Sequence, residues 1–72
     1  MLIGKIDVAK REKILVTIRD FKKTRMIDLR VHHTSDDGEM VATPAGISLS
    51  EAQIDRAVEL LKEAKARFFE KI

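Results

Sequence analysis

The sequence predicts an α+β domain in which an antiparallel sheet is followed by one long C-terminal helix. Two observations carry this fold class. Two runs of alternating apolar and polar residues flank a short basic segment, and a capped apolar stripe with helical period comes after them. We assign residues 14–49 to the sheet and residues 50–71 to the helix, with residues 1–13 forming either a short strand or a mobile basic arm of the same single domain.

The two alternating runs predict a half-buried hairpin. Apolar side chains occupy every second position of residues 14–18 and 27–31, which places them on one face of the paired strands. The basic segment of residues 22–25 is predicted to form the turn. The opposite face combines a ring, cations and an acid: Thr17, Arg19, Phe21, Asp28 and Arg30. Cations can meet phosphates and a ring can meet an unstacked base, so this composition is typical of a surface for single-stranded nucleic acid.

The remaining sheet residues are divided by turn signals. Asp37-Gly38 predicts a tight turn within residues 34–39, because glycine supplies the positive φ that such turns require. Residues 40–42 are predicted to be the next strand. Residues 43–46, which include Pro44, are predicted to interrupt the sheet before a short last strand at residues 47–49.

The helix has a strong start signal. Ser50 suits the N-cap, and Gln53 lies where a capping box requires it. A helix reaching Glu70 would be ~30 Å long, whereas strands of five to eight residues span about 17–26 Å. The apolar end is therefore expected to extend beyond the sheet and to pack on the same helix of a second copy. The residues predicted for this dimer interface are Leu61, Ala64, Phe68 and Phe69.

Length and charge support the same interpretation. A chain of 72 residues without cysteine buries a marginal core and has neither a disulfide nor a thiolate zinc site, so oligomerisation is the expected source of stability. Residues 1–33 hold nine Lys or Arg against four Asp or Glu, and residues 34–72 hold five against eight. The net charge of +2 therefore hides a basic first half, which suits a polyanionic partner.

Several classes of function are excluded. No nucleophile–base pair or phosphate-binding loop is visible, so we expect neither an enzyme nor a cofactor. His32 and His33 are adjacent on a strand and point to opposite faces, which argues against a shared metal ion. No segment has the apolar length of a membrane span or of a signal peptide. We expect a cytoplasmic, nucleoid-associated protein if the source is bacterial and a nuclear protein if it is eukaryotic, with no membrane partner.

Four short motifs carry a resemblance to a known family. They are V-T-I-R-D-F-K at residues 16–22, I-D-L-R at 27–30, D-G-E-M at 37–40 and G-I-S-L-S at 46–50. In this order and spacing the chain resembles the positive cofactor four family, which comprises transcriptional coactivators and single-stranded-DNA-binding proteins. The resemblance implies a four-stranded antiparallel curved sheet followed by a helix. It also implies a homodimer formed through the helices, in which the sheets form paired grooves that hold unpaired DNA.

The resemblance assigns roles to individual residues. Arg19, Phe21, Lys22 and Arg30 match positions that contact DNA in the family. The ring would stack on a base, and the three cations would pair with phosphates. The predicted nucleic-acid site has three further residues. Lys23 and Arg25 would add positive charge at the turn, and His33 stands in place of a second stacking aromatic.

The chain also departs from the family pattern. Lys23 stands where a glycine is common after the Phe-Lys pair, and Val41 and Ala45 stand where lysines are expected. Fewer cations and one fewer large ring predict weaker binding, since stacking contributes about 1–3 kcal/mol per base. The Ser/Lys-rich leader of many eukaryotic members is absent, which favours a bacterial or phage source.

The predicted function is non-enzymatic binding of single-stranded DNA by a homodimer that supports transcription regulation, replication or repair. The alternative is a protein-interaction or dimerisation module that has lost DNA binding. Double-stranded RNA binding is less favoured because the usual leading helix is missing. The preference between DNA and single-stranded RNA, and an interaction with the transcription machinery, are left open by the sequence.

Overall fold

In the computed structural model, which describes residues 1–72, four antiparallel strands are followed by one helix. The elements are β1 (Leu2–Ala9), β2 (Glu12–Phe21), β3 (Thr24–Thr34), β4 (Met40–Leu49) and α1 (Glu51–Ala66). The strands lie in chain order in the sheet, so every neighbouring pair is a hairpin. This architecture confirms the predicted antiparallel sheet and C-terminal helix.

The β2–β3 hairpin separates two faces of the sheet. Its register sets Val16 opposite Leu29 and Thr17 opposite Asp28, so the alternation found in the sequence holds across both strands. We call the side that carries Val16 and Leu29 the apolar face and the side that carries Thr17 and Asp28 the polar face. The turn is shorter than predicted: it consists of residues 22 and 23 alone, and residues 24 and 25 begin β3.

The first residues form an edge strand, which is one of the two alternatives that the sequence left open. The Met1 amino group donates to the Ile18 carbonyl at 2.8 Å, and the Ile18 amide donates to the Met1 carbonyl at 2.9 Å. An ion pair between Asp7 and Lys13 joins β1 to β2 on the polar face. The strand is interrupted by two register shifts, a feature that discourages further pairing along an exposed edge.

The predicted break at residues 43–46 is wrong, because β4 runs through it as a bulge. Pro44 has no amide hydrogen to give to the sheet, and β4 is an edge strand in which that loss is tolerated. The Thr43 hydroxyl donates to the Val31 carbonyl at 2.7 Å and accepts from the Ala45 amide at 3.2 Å. Side-chain hydrogen bonds therefore replace the missing ladder bonds and join the two predicted short strands into one.

The helix begins as predicted and ends earlier. The backbone amide of Gln53 donates to Ser50 Oγ at 3.4 Å, and the backbone amide of Ser50 donates to Gln53 Oε1 at 2.9 Å. These two hydrogen bonds complete a capping box. The helix ends at Ala66, and the Phe68 and Glu70 amides then donate to carbonyls three residues back. Beyond residue 66 the chain therefore forms tighter turns in place of the expected helix. Packing supplies most of the stability of a helix, and nothing in the single chain covers this end.

The observed lengths overturn the reason given for an overhanging helix. A helix of 16 residues is ~24 Å long, whereas strands of ten residues span roughly 33 Å. The helix lies on the apolar face against β3 and β4, where Ile54 and Ala57 are half-buried. Between helix and sheet an open groove of about 610 Å³ is lined entirely by ten apolar residues, among them Val16, Ile47 and Leu61.

The chain taken alone has almost no buried interior. Asp28 is the one buried residue, at 3% exposure, and no hydrophobic residue is buried. The radius of gyration is 14.4 Å, against about 11 Å for a compact domain of this length. No helix of the chain has the length and apolar character needed to cross a membrane. The sheet and helix are therefore well-formed layers whose apolar surfaces remain largely open.

Candidate nucleic-acid interface

The polar face carries a shallow pocket at the end of the β2–β3 hairpin. Arg19 lies opposite Met26 in the hairpin register, and both line the pocket together with Phe21. The remaining lining residues are Asp20 and Ser48, and the pocket volume is about 360 Å³. The helix is on the other side of the sheet, so this surface is open to a ligand.

Phe21 is the exposed aromatic residue of this surface. It is 64% exposed at the last position of β2, where packing alone would not favour a phenyl ring. The two-residue turn brings Lys22 back over the ring, with its Nζ 5.4 Å from the ring centroid. This cation–π contact holds a positive charge at the ring, so one short stretch presents both a stacking surface and a phosphate-binding group.

Three cations at or next to this pocket have no acidic partner. Arg19, Lys22 and Lys23 make no ion pair. Lys5, which lies opposite Leu15 on the polar face, makes none either. In contrast, Arg11 is held by Asp36 at 2.6 Å on the far end of the sheet. Arg19 and the two turn lysines therefore place cations without an ion pair close to Phe21.

Arg30 occupies the polar face as predicted, but it is paired. Its guanidinium donates to both carboxylate oxygens of Asp28, at 2.9 and 3.3 Å, and Ser48 Oγ donates to the same carboxylate at 2.7 Å. The hydrogen bond from Arg30 lowers the pKa of Asp28 from its ordinary value of 3.8 although burial opposes it, and Ser48 contributes in the same direction. Asp28 in turn raises the pKa of Arg30.

Two predicted residues lie on the other face. Arg25 is opposite Asp20 in the register, and its Nε lies 3.1 Å from the Asp20 carboxylate. The hydrogen bond of this pair lowers the pKa of Asp20 and raises that of Arg25. His33 is opposite Glu12, which by strand alternation places it on the apolar face. The structure therefore brings Arg19, Phe21 and Lys22 together, with Lys23 next to them in the turn, and separates Arg25 and His33 from them.

The residues predicted for the dimer interface are all exposed in the single chain. Leu61 and Phe68 are 67% and 73% exposed, and Phe69 is 96% exposed. The two phenyl rings contact each other edge to face, with centroids 5.2 Å apart and an interplanar angle of 78°. Ala64 lies between them and Leu61 on the exposed side of the helix.

A family model covers most of the chain. The model of the family described as Transcriptional Coactivator p15 (PC4) matches residues 8–60, which is most of the chain. The chain belongs to the PC4 family. This family is non-enzymatic and is known for binding single-stranded DNA.

Solved structures show the same fold. In its orthorhombic crystal form, BPSL1147, a PC4 homologue from Burkholderia pseudomallei, superimposes with a TM-score of 0.84 at 23% sequence identity, covering 90% of this chain and 88% of that one. Its tetragonal form gives a TM-score of 0.82 at 23% identity, covering 90% and 96%. At this identity the similarity concerns the fold. No curated protein matches the chain.

Three residues of the polar face were missed from the sequence of this PC4-family protein. Met26 and Ser48 line the pocket beside Phe21, and Lys5 adds an unpaired cation. Strand alternation places Met26 on the same face as Asp28, and an apolar residue on a charged face is an exception to the pattern. That exception could have identified Met26 as a site residue. The positions of Ser48 and Lys5 depend on strand pairings that local sequence does not specify. No group of three or more His, Cys, Asp or Glu is placed to hold a metal ion.

Proposed function

We propose that this PC4-family protein binds single-stranded DNA without enzymatic chemistry, as a homodimer, in transcription regulation or in replication and repair. One observation carries the proposal: an exposed phenyl ring, Phe21, is surrounded by cations that have no acidic partner on the face of the sheet away from the helix. A base would stack on the ring, and phosphates would pair with Arg19 and Lys22. Met26 would contact the same base from the floor of the pocket.

The charge pattern supports binding with little sequence preference. Arg19, Lys22, Lys23 and Lys5 have free ammonium or guanidinium groups and can neutralise phosphates, which releases counterions from the nucleic acid. Stacking on a phenyl ring tolerates any base, because every base has a π-face. Binding is therefore expected to fall as salt rises and to tolerate changes of base.

The open apolar groove supports the homodimer. A chain of 8.2 kDa is expected to expose roughly 4,500 Å² when folded as a compact monomer, but this chain exposes 6314 Å². The excess of about 1,800 Å² is more than the ~800 Å² per partner of a standard interface and is in the range of obligate homodimers. The exposed helix residues Leu61, Ala64, Phe68 and Phe69 would pack against a second copy and cover the groove.

The proposal is tested by fluorescence anisotropy with a labelled thymine oligonucleotide of about 20 nucleotides, beside the matching duplex and a uracil oligonucleotide, at two salt concentrations. We expect the single strand to bind more tightly than the duplex. Phe21→Ala should weaken single-strand binding by about tenfold, since stacking on an aromatic ring contributes about 1–3 kcal/mol per base. The uracil arm measures the preference between DNA and RNA.

Arg19 and Arg25 provide a matched pair of controls. Both are exposed arginines near the same turn, but Arg19 faces the pocket and Arg25 is paired with Asp20 on the opposite face. Arg19→Ala should reduce affinity and the dependence on salt by more than Arg25→Ala, which removes a cation that Asp20 already neutralises. No single-strand binding at low salt by a folded dimer would refute the proposal and favour the protein-interaction alternative, with the helix surface and the transcription machinery as the first places to look for a partner.

A further inference from the structure

The guanidinium of Arg30 is engaged within the protein. Its Nε and Nη2 donate to the two oxygens of Asp28, and its Nη1 donates to the carbonyls of Pro44 at 3.0 Å and Thr43 at 3.5 Å. A guanidinium has five N–H donors, so these hydrogen bonds leave only one of them free. The side chain is 22% exposed. A phosphate approaching the polar face would meet a cation whose donors are already occupied.

The charge of Arg30 is also compensated. The Asp28 carboxylate lies in a bidentate pair with it and is itself buried, with Ser48 Oγ as a further donor. The pair contributes little net field to the surface. Arg19 differs in both respects, because it is exposed and has no ion pair.

The hydrogen bonds of Arg30 join β3 to the bulge of β4. The register between these strands is regular up to Arg30 and Gly46, shifts at the bulge, and resumes at His32 and Ala42. Arg30 bonds the carbonyls inside this irregular stretch, where ladder bonds are missing. The guanidinium therefore acts where the backbone cannot hold β4 in place.

Gly46 makes room for this arrangement. A Cβ at position 46 would lie 2.4 Å from the Leu29 carbonyl oxygen, 2.8 Å from Arg30 Cα and 3.2 Å from Arg30 Cζ. A side chain here would push Arg30 away from β4. Two residues later, Ser48 bonds Asp28 and lines the pocket beside Phe21. Asp28 therefore accepts hydrogen bonds both from Arg30 and from a residue of the pocket wall.

From this geometry we infer that Arg30 is a positioning residue, which locks the β4 bulge and the wall of the pocket and does not bind phosphate. The resemblance assigned it to phosphate together with Arg19 and Lys22, and the occupied donors argue for a different role. The binding consequence depends on the proposed function. The structural consequence does not.

Two substitutions separate the roles in the oligonucleotide assay. Arg30→Lys keeps the charge but loses the fork that spans Asp28 and the bulge. We expect it to weaken single-strand binding and to lower the melting temperature by at least about 5 °C, the shift expected in a domain this small when one net hydrogen bond is removed. Arg11→Lys, the matched control in the exposed Arg11–Asp36 pair at the far end of the sheet, should change the melting temperature by much less and leave the affinity as it is in the wild type.

The second substitution removes the pair without changing net charge. Asp28→Asn combined with Arg30→Gln should leave the slope of log affinity against log salt as it is in the wild type. Arg19→Ala should reduce that slope by about 0.7 for each phosphate of a single strand that the protein no longer neutralises. If Arg30 binds phosphate, the neutral pair reduces the slope by a similar amount, and that result would overturn the inference.

The stability measurements test the positioning role of Arg30 even if the wild type binds no DNA. Positioning predicts that Asp28→Asn and Arg30→Gln together lower the melting temperature by less than the sum of their separate effects, because they disrupt one network. Additive effects, or an Arg30→Lys variant as stable as the wild type, would contradict it. An Arg30→Ala chain that fails to fold would support it, since a surface phosphate ligand is dispensable for folding.

Discussion

At the scale of single residues, the β2–β3 turn is closed by two lysines in the left-handed region. Lys22 has φ +48° and Lys23 has φ +66°, the conformation of a type I′ hairpin turn, where Asn-Gly is preferred. A side chain other than glycine costs about 1–2 kcal/mol in this region. In this turn Lys22 Nζ lies 5.4 Å from the centroid of the Phe21 ring, so a strained backbone accompanies the positive charge beside the ring.

Lys23→Gly is therefore expected to stabilise the protein by about 0.5–1 kcal/mol and to raise its melting temperature by several degrees. Calorimetry measures the change. Lys10→Gly is the control, because Lys10 lies in the β1–β2 turn without a positive φ and loses the same charge. Equal effects of the two substitutions would show that charge, and not backbone strain, is responsible. The same Lys23 variant should bind single strands less tightly at low salt.

Asp28 makes the stability of the fold depend on pH in the acidic range. Its folded-state pKa is lowered from 3.8, mainly by the hydrogen bond from Arg30, so the ionised carboxylate stabilises the fold above that pH. This contribution is lost as the pH falls through the lowered value. The melting temperature should therefore fall steeply below about pH 4, and Asp28→Asn should flatten that fall. Asp20→Asn, in an exposed Asp–Arg pair on the same hairpin, should alter the profile little.

At the scale of elements, the helix depends on its first turn. The reciprocal hydrogen bonds of Ser50 and Gln53 satisfy two backbone amides, and no residue of the helix is fully buried. Ser50→Ala should cost about 1 kcal/mol, which corresponds to about 4–8 °C in a domain of this size. Ser50→Thr retains the capping oxygen and should recover most of the loss. Equal stability of all three proteins would show that the cap is unimportant here.

Elements governed by local rules were predictable from the sequence. The capping box, the Asp37-Gly38 turn and the two alternating strands are each specified by neighbouring residues, and all are present. The continuity of β4 was not predictable, because Arg30 and Thr43 replace ladder bonds across a distance of more than ten residues. The end of the helix was missed for a related reason: the apolar period continues past residue 66, but nothing in the single chain packs against it.

The candidate site was predictable to the extent that strand parity governs it. Arg19 and Phe21 share a strand face two residues apart, so alternation alone placed them together. Arg25 was predicted to lie in a longer turn. It belongs instead to β3, where strand alternation places its side chain on the face opposite to that of Arg19. His33 was chosen through the resemblance, against the alternation that sets His32 on the polar face. The occupied state of Arg30 depends on its hydrogen bonds with β4, which no local pattern reveals.

At the scale of the whole molecule, the two faces of the sheet have separate roles. The polar face offers a ring and free cations, and the apolar face with its helix leaves a groove lined only by apolar residues. A monomer with this surface would lack a buried hydrophobic residue of any kind. Pairing of two copies through the apolar face would provide the missing core and leave both polar faces free. Folding and dimerisation are then expected to be a single event, with a melting temperature that rises with protein concentration.

Leu61→Asp tests this coupling. Leu61 lines the apolar groove and is 67% exposed in the single chain, so a carboxylate there would be buried without a partner in the proposed dimer. Sedimentation equilibrium should give twice the chain mass of 8.2 kDa for the wild type, and a monomer or an unfolded chain for the variant. Lys62→Asp is the control, since the next residue points about 100° around the helix and does not line the groove.

The two variants also distinguish dimer loss from general damage to the helix. If Lys62→Asp remains a dimer and Leu61→Asp does not, the groove is the interface. The Leu61→Asp variant should then lose more affinity for oligonucleotides long enough to reach two sheets than for short oligonucleotides, because only the dimer can bind with both polar faces. A folded wild-type monomer at micromolar concentration would refute the dimer. In that case the groove would have to be covered by a different protein, and the apolar residues around Leu61 would mark where it binds.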